Sequence, residues 1–254
     1  MSKEFINLQN KSVAIVGPAS YMVGSKLGQE IDSHDVVVRL NRGVESIEQY
    51  SSDIGKRTDI LYTCLIEKPG NAGPYQPEEL ISTYSIKAIV APPHSDFRGY
   101  SPVTRLHDLV NIEKAKQLAA LVPFRVVDHR FHNQLAHAVS CKPNTGFMAI
   151  YDLLRYDLKQ LSIYGFSFYL DGFIPGCKSG VEKTLEMTEE QFADRCFSSK
   201  RHIQENMWTY AKQTLLNSPK VKLDSVLNLI LSLDTLDRGL FKEALLNNEN
   251  IHTN

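Results

Sequence analysis

Two stretches decide the fold: Ser12-Val13-Ala14-Ile15-Val16-Gly17 and, further along, Asp35-Val36-Val37-Val38-Arg39-Leu40-Asn41. Each is a short apolar run rich in β-branched residues, which is how a strand buried on both faces of a parallel sheet reads. The first ends in glycine and the second in a carboxamide. Between them Lys26 to Ile31 supplies one short helix, so strand, crossover and strand form a βαβ unit of about thirty residues.

Outward from this unit the same alternation continues. Asp59 to Cys64, Lys87 to Ala91, Phe124 to Val127 and Leu161 to Gly165 are further strands. Ile112 to Leu121 and Thr145 to Tyr156 are helices, and Glu189 to Leu215 is a longer helical stretch with a break near Ser198-Ser199. Ser225 to Ser232 and Leu240 to Leu246 close the chain as a helical extension. There is no internal repeat and no low-complexity linker. The expectation is an α/β fold: a single Rossmann-like domain over residues 1–254, with a mostly parallel central sheet and helices on both faces. Ligands of such sheets sit beyond the carboxyl ends of the strands, where strand order reverses.

Composition narrows the class. Hydrophobic residues are 43% and charged residues 22% of 254, ordinary globular usage. A formal net charge of -1 lacks the basic excess of a nucleic-acid binder. The N-terminal Met1 to Asn7 does not resemble a signal peptide, and no apolar run approaches the ~18 residues that span a bilayer. A soluble, cytoplasmic chain is therefore expected, its oligomeric state left open. Cys64, Cys141, Cys177 and Cys196 are scattered, form no CxxC pair and join no histidine at zinc spacing. Free thiols in a reducing compartment are the expectation, with no metal site.

Three loops can carry chemistry. Gly17 to Gly28 follows the first strand and opens a helix, so its backbone N–H groups can approach an anion. It is neither GxGxxG nor a P-loop, which argues against a dinucleotide oxidoreductase or an ATPase. Asn41 can both donate and accept hydrogen bonds, and so can read a base or a ribose. In Cys141-Lys142-Pro143-Asn144-Thr145-Gly146-Phe147-Met148, Asn144 is placed as an N-cap, and the exposed N–H groups behind it suit a carboxylate or phosphate. Farther on, His202 stands beside Lys200 and Arg201. A histidine that titrates near neutrality can take a proton from an attacking hydroxyl, although His94, His129, His132 and His137 compete for that role.

In this order, these segments resemble the characteristic motifs of the sialyltransferase family, glycosyltransferase family 29. Val13 to Gly17, Gly24-Ser25 and Gly28-Gln29-Glu30-Ile31-Asp32-Ser33-His34-Asp35-Val36-Val37-Val38-Arg39-Leu40-Asn41 resemble its long first motif. Pro143-Asn144-Thr145-Gly146-Phe147 and Ile163-Tyr164-Gly165-Phe166 are similar to its second motif, and Phe168-Tyr169-Leu170-Asp171 is a degenerate form of the third. The resemblance implies an inverting, metal-independent transfer of an acidic sugar from a CMP-sugar to a glycan hydroxyl, with no cofactor besides the activated donor. It implies that Gly17, Ala19, Ser20, Asn41, Gly165 and Phe166 hold the nucleotide. Asn144, Thr145, Gly146 and Tyr169 would meet the donor's carboxylate and phosphate, and His202 would act as general base. Lys200, Arg201 and His129 are further candidates for the phosphate side.

The sequence also departs from the family pattern. Pro18-Ala19-Ser20 replaces the usual Asn-Ser-Gly after the first strand, and Val13 stands where the animal enzymes have a cysteine. Glu205 is only an approximate counterpart of the glutamate that follows the catalytic histidine. These departures imply a soluble bacterial- or viral-type member and widen the donor to CMP-Kdo as well as CMP-sialic acid. They also admit a relative that binds CMP or sugar without turning it over. Acceptor recognition is expected from Glu67 to Pro77 and His94 to Pro102, where Tyr75, Phe97 and Tyr100 can stack on a sugar face.

Overall fold

A computed structural model describes residues 4–67, 76–93, 110–178 and 185–247. Most of the two stretches expected to meet the acceptor, with Tyr75, His94, Phe97 and Tyr100, lies outside the described residues.

Seven strands form one sheet in the order β5-β4-β3-β2-β1-β6-β7, and every neighbouring pair is parallel. The strands are β1 (Ser12–Val16), β2 (Val36–Leu40), β3 (Ile60–Tyr62), β4 (Ala88–Ala91), β5 (Phe124–Val126), β6 (Gln160–Tyr164) and β7 (Val221–Leu223). The expected α/β architecture is thus present, wholly parallel rather than mostly so among the described residues. β7 is an addition to the expected set. Three residues at the sheet edge, none of them fully buried, give it no apolar run to read.

Strand order explains where the helices go. From β1 the chain steps outward through β2, β3, β4 and β5, then returns to the other side of β1 for β6 and β7. Parallel crossovers are right-handed, so reversing the direction of travel moves the helices to the opposite face. The first face carries α1 (Gly28–Asp32), α2 (Ile47–Ile54), α3 (Pro77–Tyr84) and α4 (Ile112–Leu121), packed on Ala14, Val16, Val37, Leu61, Ile89 and Tyr164. The other face carries α5 (His129–Ala138), α6 (Thr145–Leu153), α8 (Gln204–Leu215), α9 (Ser225–Ser232) and α10 (Arg238–Asn247), packed on Val13, Ile15, Val38, Tyr62, Val90 and Ile163. Adjacent strand residues feed opposite cores, as the pleat requires.

The break expected near Ser198-Ser199 is present, and one helical boundary differs from expectation. The stretch Glu189 to Leu215 is two helices, α7 (Glu189–Phe197) and α8, separated at Ser198 to Ile203. Thr188 and Gln191 build a capping box at the start of α7. α6 stops at Leu153, short of Tyr156, because Leu154 to Tyr156 turn back through Arg155 N–H to Asp152 O at 3.3 Å and Tyr156 N–H to Leu153 O at 3.1 Å. α2, α3 and α5 carry no sequence cue strong enough to have been expected. α3 is marked afterwards by Pro77 in its first turn and α5 by its Asp128 cap.

Candidate active site

The reversal of strand order falls between β1 and β6, and there two glycines meet. A Cβ on Gly17 would lie 2.3 Å from the Gly165 carbonyl oxygen, and one on Gly165 would lie 2.5 Å from that of Gly17. Gly165 also takes a left-handed φ of 74°, which glycine adopts without strain. The strands can therefore run this close only because neither residue carries a side chain. Gly17 N–H donates to Tyr164 O at 2.7 Å, and Ala19 N–H donates to Gly165 O at 3.1 Å, so the chain leaving β1 is laced to the chain leaving β6.

Above this crossing opens a cavity of about 380 Å³, in the ~300–1,000 Å³ range of small-molecule sites. Ala19, Asn41, Asn144, Thr145, Gly146, Gly165, Phe166, Tyr169 and His202 all line it. Gly17 forms the crossing beneath rather than the wall. Ser20 opens a short 3-10 turn, Ser20–Met22, and donates its N–H to Gly172 O at 3.1 Å; it does not line the cavity. Of the further phosphate-side candidates, Arg201 lines it, whereas Lys200 and His129 do not.

α6 points its N-terminus at this space. The Asn144 side-chain oxygen accepts from Phe147 N–H at 2.9 Å, an ordinary N-cap bond. Gly146 is crowded: a Cβ there would sit 2.8 Å from Phe166 Cε1 and 3.1 Å from Leu40 Cδ1. Phe166 thus rests on the first turn of the helix. Asn41, in a left-handed conformation with φ 44°, uses its Oδ1 to accept Cys64 N–H at 2.9 Å. Because a backbone N–H can only donate, the atom facing it is the oxygen, and the group that Asn41 can still offer as a donor is its NH₂.

His202 is bolted down from several sides. Its Nδ1 lies 2.7 Å from Lys142 O, and its N–H donates to Ser199 Oγ at 3.1 Å. Gln204 Nε2 donates to His202 O at 2.5 Å, and Lys142 N–H donates to Arg201 O at 3.1 Å. A carbonyl only accepts, so Nδ1 carries the hydrogen and Nε2 keeps its lone pair. Burial lowers the His202 pKa below the ordinary histidine value; Lys142 and Arg201 push the same way, against the hydrogen bond to Lys142 O. The ring is therefore held in one orientation, with Nε2 able to accept a proton, and is mainly neutral at neutral pH.

Several lining residues escaped the sequence reading. Lys142 and Lys178 add positive charge, and Phe173, Phe192, Cys177 and Cys196 wall one end. The Lys178 ammonium stands 4.9 Å from the centroid of the Phe173 ring. Lys142 had a legible signal, standing two residues before the N-cap Asn144. Lys178 and Phe192 had none, since neither belongs to a motif. Burial, followed by the nearby thiols of Cys196, Cys177 and Cys64, pushes the Tyr169 phenol well up, so it stays an O–H donor. All four cysteines are free thiols. Among the described residues no Asp or Glu lines the cavity, and no group of three or more His, Cys, Asp and Glu is arranged to hold a metal ion. No helix among them is long and apolar enough to cross a membrane.

Residues 1–71 match the model of glycosyltransferase family 29 (sialyltransferase). Among solved structures, a mammalian sialyltransferase in complex with Gal-β-1-3GalNAc-ortho-nitrophenol is similar at 15% identity and a TM-score of 0.46, over 84% of this chain and 69% of that one. The sialyltransferase CST-II in complex with CMP is similar at 16% identity and a TM-score of 0.48, over 80% of this chain and 78% of that one. The match to the family model covers β1, β2 and β3 with the loops that leave them, and so includes the β1 side of the crossing and Asn41.

Proposed function

We propose that the chain is an inverting, metal-independent glycosyltransferase that moves an acidic sugar, sialic acid in the first instance, from a CMP-sugar to a glycan hydroxyl. The observation that carries this reading is the make-up of the cavity: Lys142, Lys178 and Arg201 are in its lining, α6 directs its N-terminus at it, and no Asp or Glu is among its described lining residues. A CMP-activated ulosonic acid brings a phosphate and a carboxylate, and both suit that lining.

His202 supplies the base. Its Nε2 lone pair takes the proton of the acceptor hydroxyl as that oxygen attacks the anomeric carbon, and CMP departs from the opposite face. The positive lining stabilises the charge that builds on the departing phosphate. With this charge compensated by protein cations, and with no carboxylate among the described wall residues to hold a hard divalent ion, the donor set favours a reaction without a metal. The nucleotide lies over the Gly17–Gly165 crossing against Ala19, Asn41 and Phe166, and the donor carboxylate meets Asn144, Thr145 and Gly146.

The test is CMP release measured in parallel with CMP-sialic acid and CMP-Kdo, each with and without EDTA. Release from either donor, undiminished by chelator, is the expected result, and the preferred donor identifies the sugar. Loss of activity in EDTA would overturn metal independence. CMP binding with no release from either donor would identify a non-catalytic relative, and absence of CMP binding would overturn the reading altogether.

A further inference from the structure

The crossing beneath the cavity is held by a residue that no motif includes. Asp224 follows β7 and caps α9, where its Oδ1 accepts Leu227 N–H at 2.7 Å. Its other oxygen does something unrelated to capping. Oδ2 accepts Gly165 N–H at 2.8 Å and the Tyr21 hydroxyl at 2.8 Å. Tyr21 in turn donates its own N–H to Asp171 Oδ2 at 2.6 Å. One buried carboxylate therefore ties the loop leaving β6 to the loop leaving β1.

From these contacts we infer that Asp224, acting with Tyr21, is a positioning residue for the nucleotide part of the cavity. The inference rests on the function proposed above. Gly165 is gripped on both sides, its N–H by Asp224 and its carbonyl by Ala19 N–H at 3.1 Å. The next residue, Phe166, lies against Gly146 at the start of α6. A displacement at Asp224 thus passes through Gly165 and Phe166 to the end of α6 that faces the donor, and through Tyr21 to Ala19. Asp224 reaches the cavity only through these residues and is not in its wall.

The carboxylate is needed as an acceptor. All three groups that meet it in these bonds are donors. Asp224→Asn keeps the size but sets an NH₂ against the Gly165 N–H or the Leu227 N–H, so one bond becomes a donor–donor contact. Tyr21→Phe removes one hydroxyl and leaves the packing. Asp128→Ala serves as the control: Asp128 caps α5 through Phe131 N–H at 2.8 Å and does not line the cavity.

The experiment is CMP titration by calorimetry on the full-length chain and these three variants, with donor KM and kcat measured alongside, well below each melting temperature. Asp224→Asn is expected to weaken CMP binding at least tenfold and raise donor KM by a similar factor, with kcat changed much less. Tyr21→Phe should weaken CMP binding at least threefold, and Asp128→Ala should leave it unchanged despite a comparable loss of a cap. CMP affinity within twofold of the wild type in either folded crossing variant overturns the assignment, and if Asp224→Asn does not fold, Tyr21→Phe decides it. An equal loss of affinity in Asp128→Ala also overturns it, because general destabilisation then explains the effect. A wild-type chain that does not bind CMP fails the proposed function itself, and the inference with it.

Discussion

On the mechanism proposed above, replacing His202 by alanine removes the general base while leaving the donor's surroundings in place. A positioned general base is worth about 10²–10⁴ in rate, which is about 3–5 kcal/mol of transition-state stabilisation. The middle of that range, about 10³ in kcat, fits this site. The ring is held in one tautomer by Lys142 O, but a neutral carbonyl stabilises the imidazolium that forms less than a carboxylate would. The lost hydrogen bond costs about 1 kcal/mol of stability, which for a chain of this length lowers the melting temperature by about 2–4 °C, so turnover at 25 °C is measured on folded protein. Donor KM should stay within about twofold, because the base acts on the acceptor.

The pH profile provides a second reading of the same residue. A base must be unprotonated, so kcat/KM rises with pH and levels off once His202 is neutral. Burial lowers its pKa, so the midpoint of that limb lies below the ordinary value of about 6.5. The assay is acceptor-dependent CMP release from CMP-sialic acid and CMP-Kdo between pH 4.5 and 8. Near-full turnover in His202→Ala would refute the base assignment, and a limb centred at or above 6.5 in the wild type would refute the argument from burial.

Further outcomes follow from single contacts. Gly17→Ala should lose both stability and CMP binding, since its Cβ would lie 2.3 Å from the backbone Gly165 O, whereas Gly43→Ala, with nothing within 4 Å, should melt at the wild-type temperature. Asn144→Ala should cost about 1 kcal/mol as a lost cap and raise donor KM; unchanged KM would separate the cap from the site. Asp152 is fully buried and takes bonds from Arg125 Nη2 at 2.5 Å and Tyr62 OH at 2.7 Å, so Asp152→Ala should destabilise by about 3–5 kcal/mol, as read by urea melts. Burial lowers His132 to about 4, from an ordinary value of about 6.5, so the folded chain resists its protonation. Stability from this residue is complete above pH 6.5 and falls as pH drops towards 4, by on the order of 3 kcal/mol, and His132→Leu should flatten that part of the acid melt.

How much of this was legible in the sequence depends on what each residue does. Strands β1 and β2 were readable because burial on both faces demands apolar residues, interrupted in β2 by Arg39, whose buried guanidinium donates to Ile54 O and Gly55 O, while β7 at the edge escapes that demand. The long segment from Gly28 to Asn41 gave the strongest resemblance, yet most of its polar residues are structural. Glu30 accepts from Tyr164 OH at 2.7 Å and from Lys222 Nζ at 2.8 Å, and Asp32 accepts Lys56 N–H at 2.8 Å. His34 Nε2 lies 2.8 Å from Ser162 Oγ, and the Asp35 carboxylate accepts Ser12 N–H at 2.8 Å. Of that string only Leu40 and Asn41 reach the cavity. Lys178, Phe173 and Phe192 were invisible because their place in the wall comes from tertiary packing, which leaves no local pattern.

The altered loop at Pro18-Ala19 bears on how the cavity recognises its ligand. Pro18 O accepts Ile174 N–H at 2.8 Å, and Ala19 pairs with Phe173 in an isolated antiparallel bridge. This wall is therefore backbone already engaged, with no side chain to replace the missing amide. The carboxamides in the lining are those of Asn41 and Asn144, and each has its oxygen committed, to Cys64 N–H and Phe147 N–H respectively. What they retain for a ligand is N–H. Add Lys142, Lys178, Arg201 and the N-terminus of α6, and the described wall carries more side-chain donors than acceptors. A wall with this excess of donors favours an occupant that brings acceptors. A phosphate and a carboxylate on one molecule do this, and an uncharged sugar nucleoside does not. CMP should therefore bind far more tightly than cytidine, by at least tenfold, and equal affinities in calorimetry would show that the cavity's positive wall does not face the donor's phosphate.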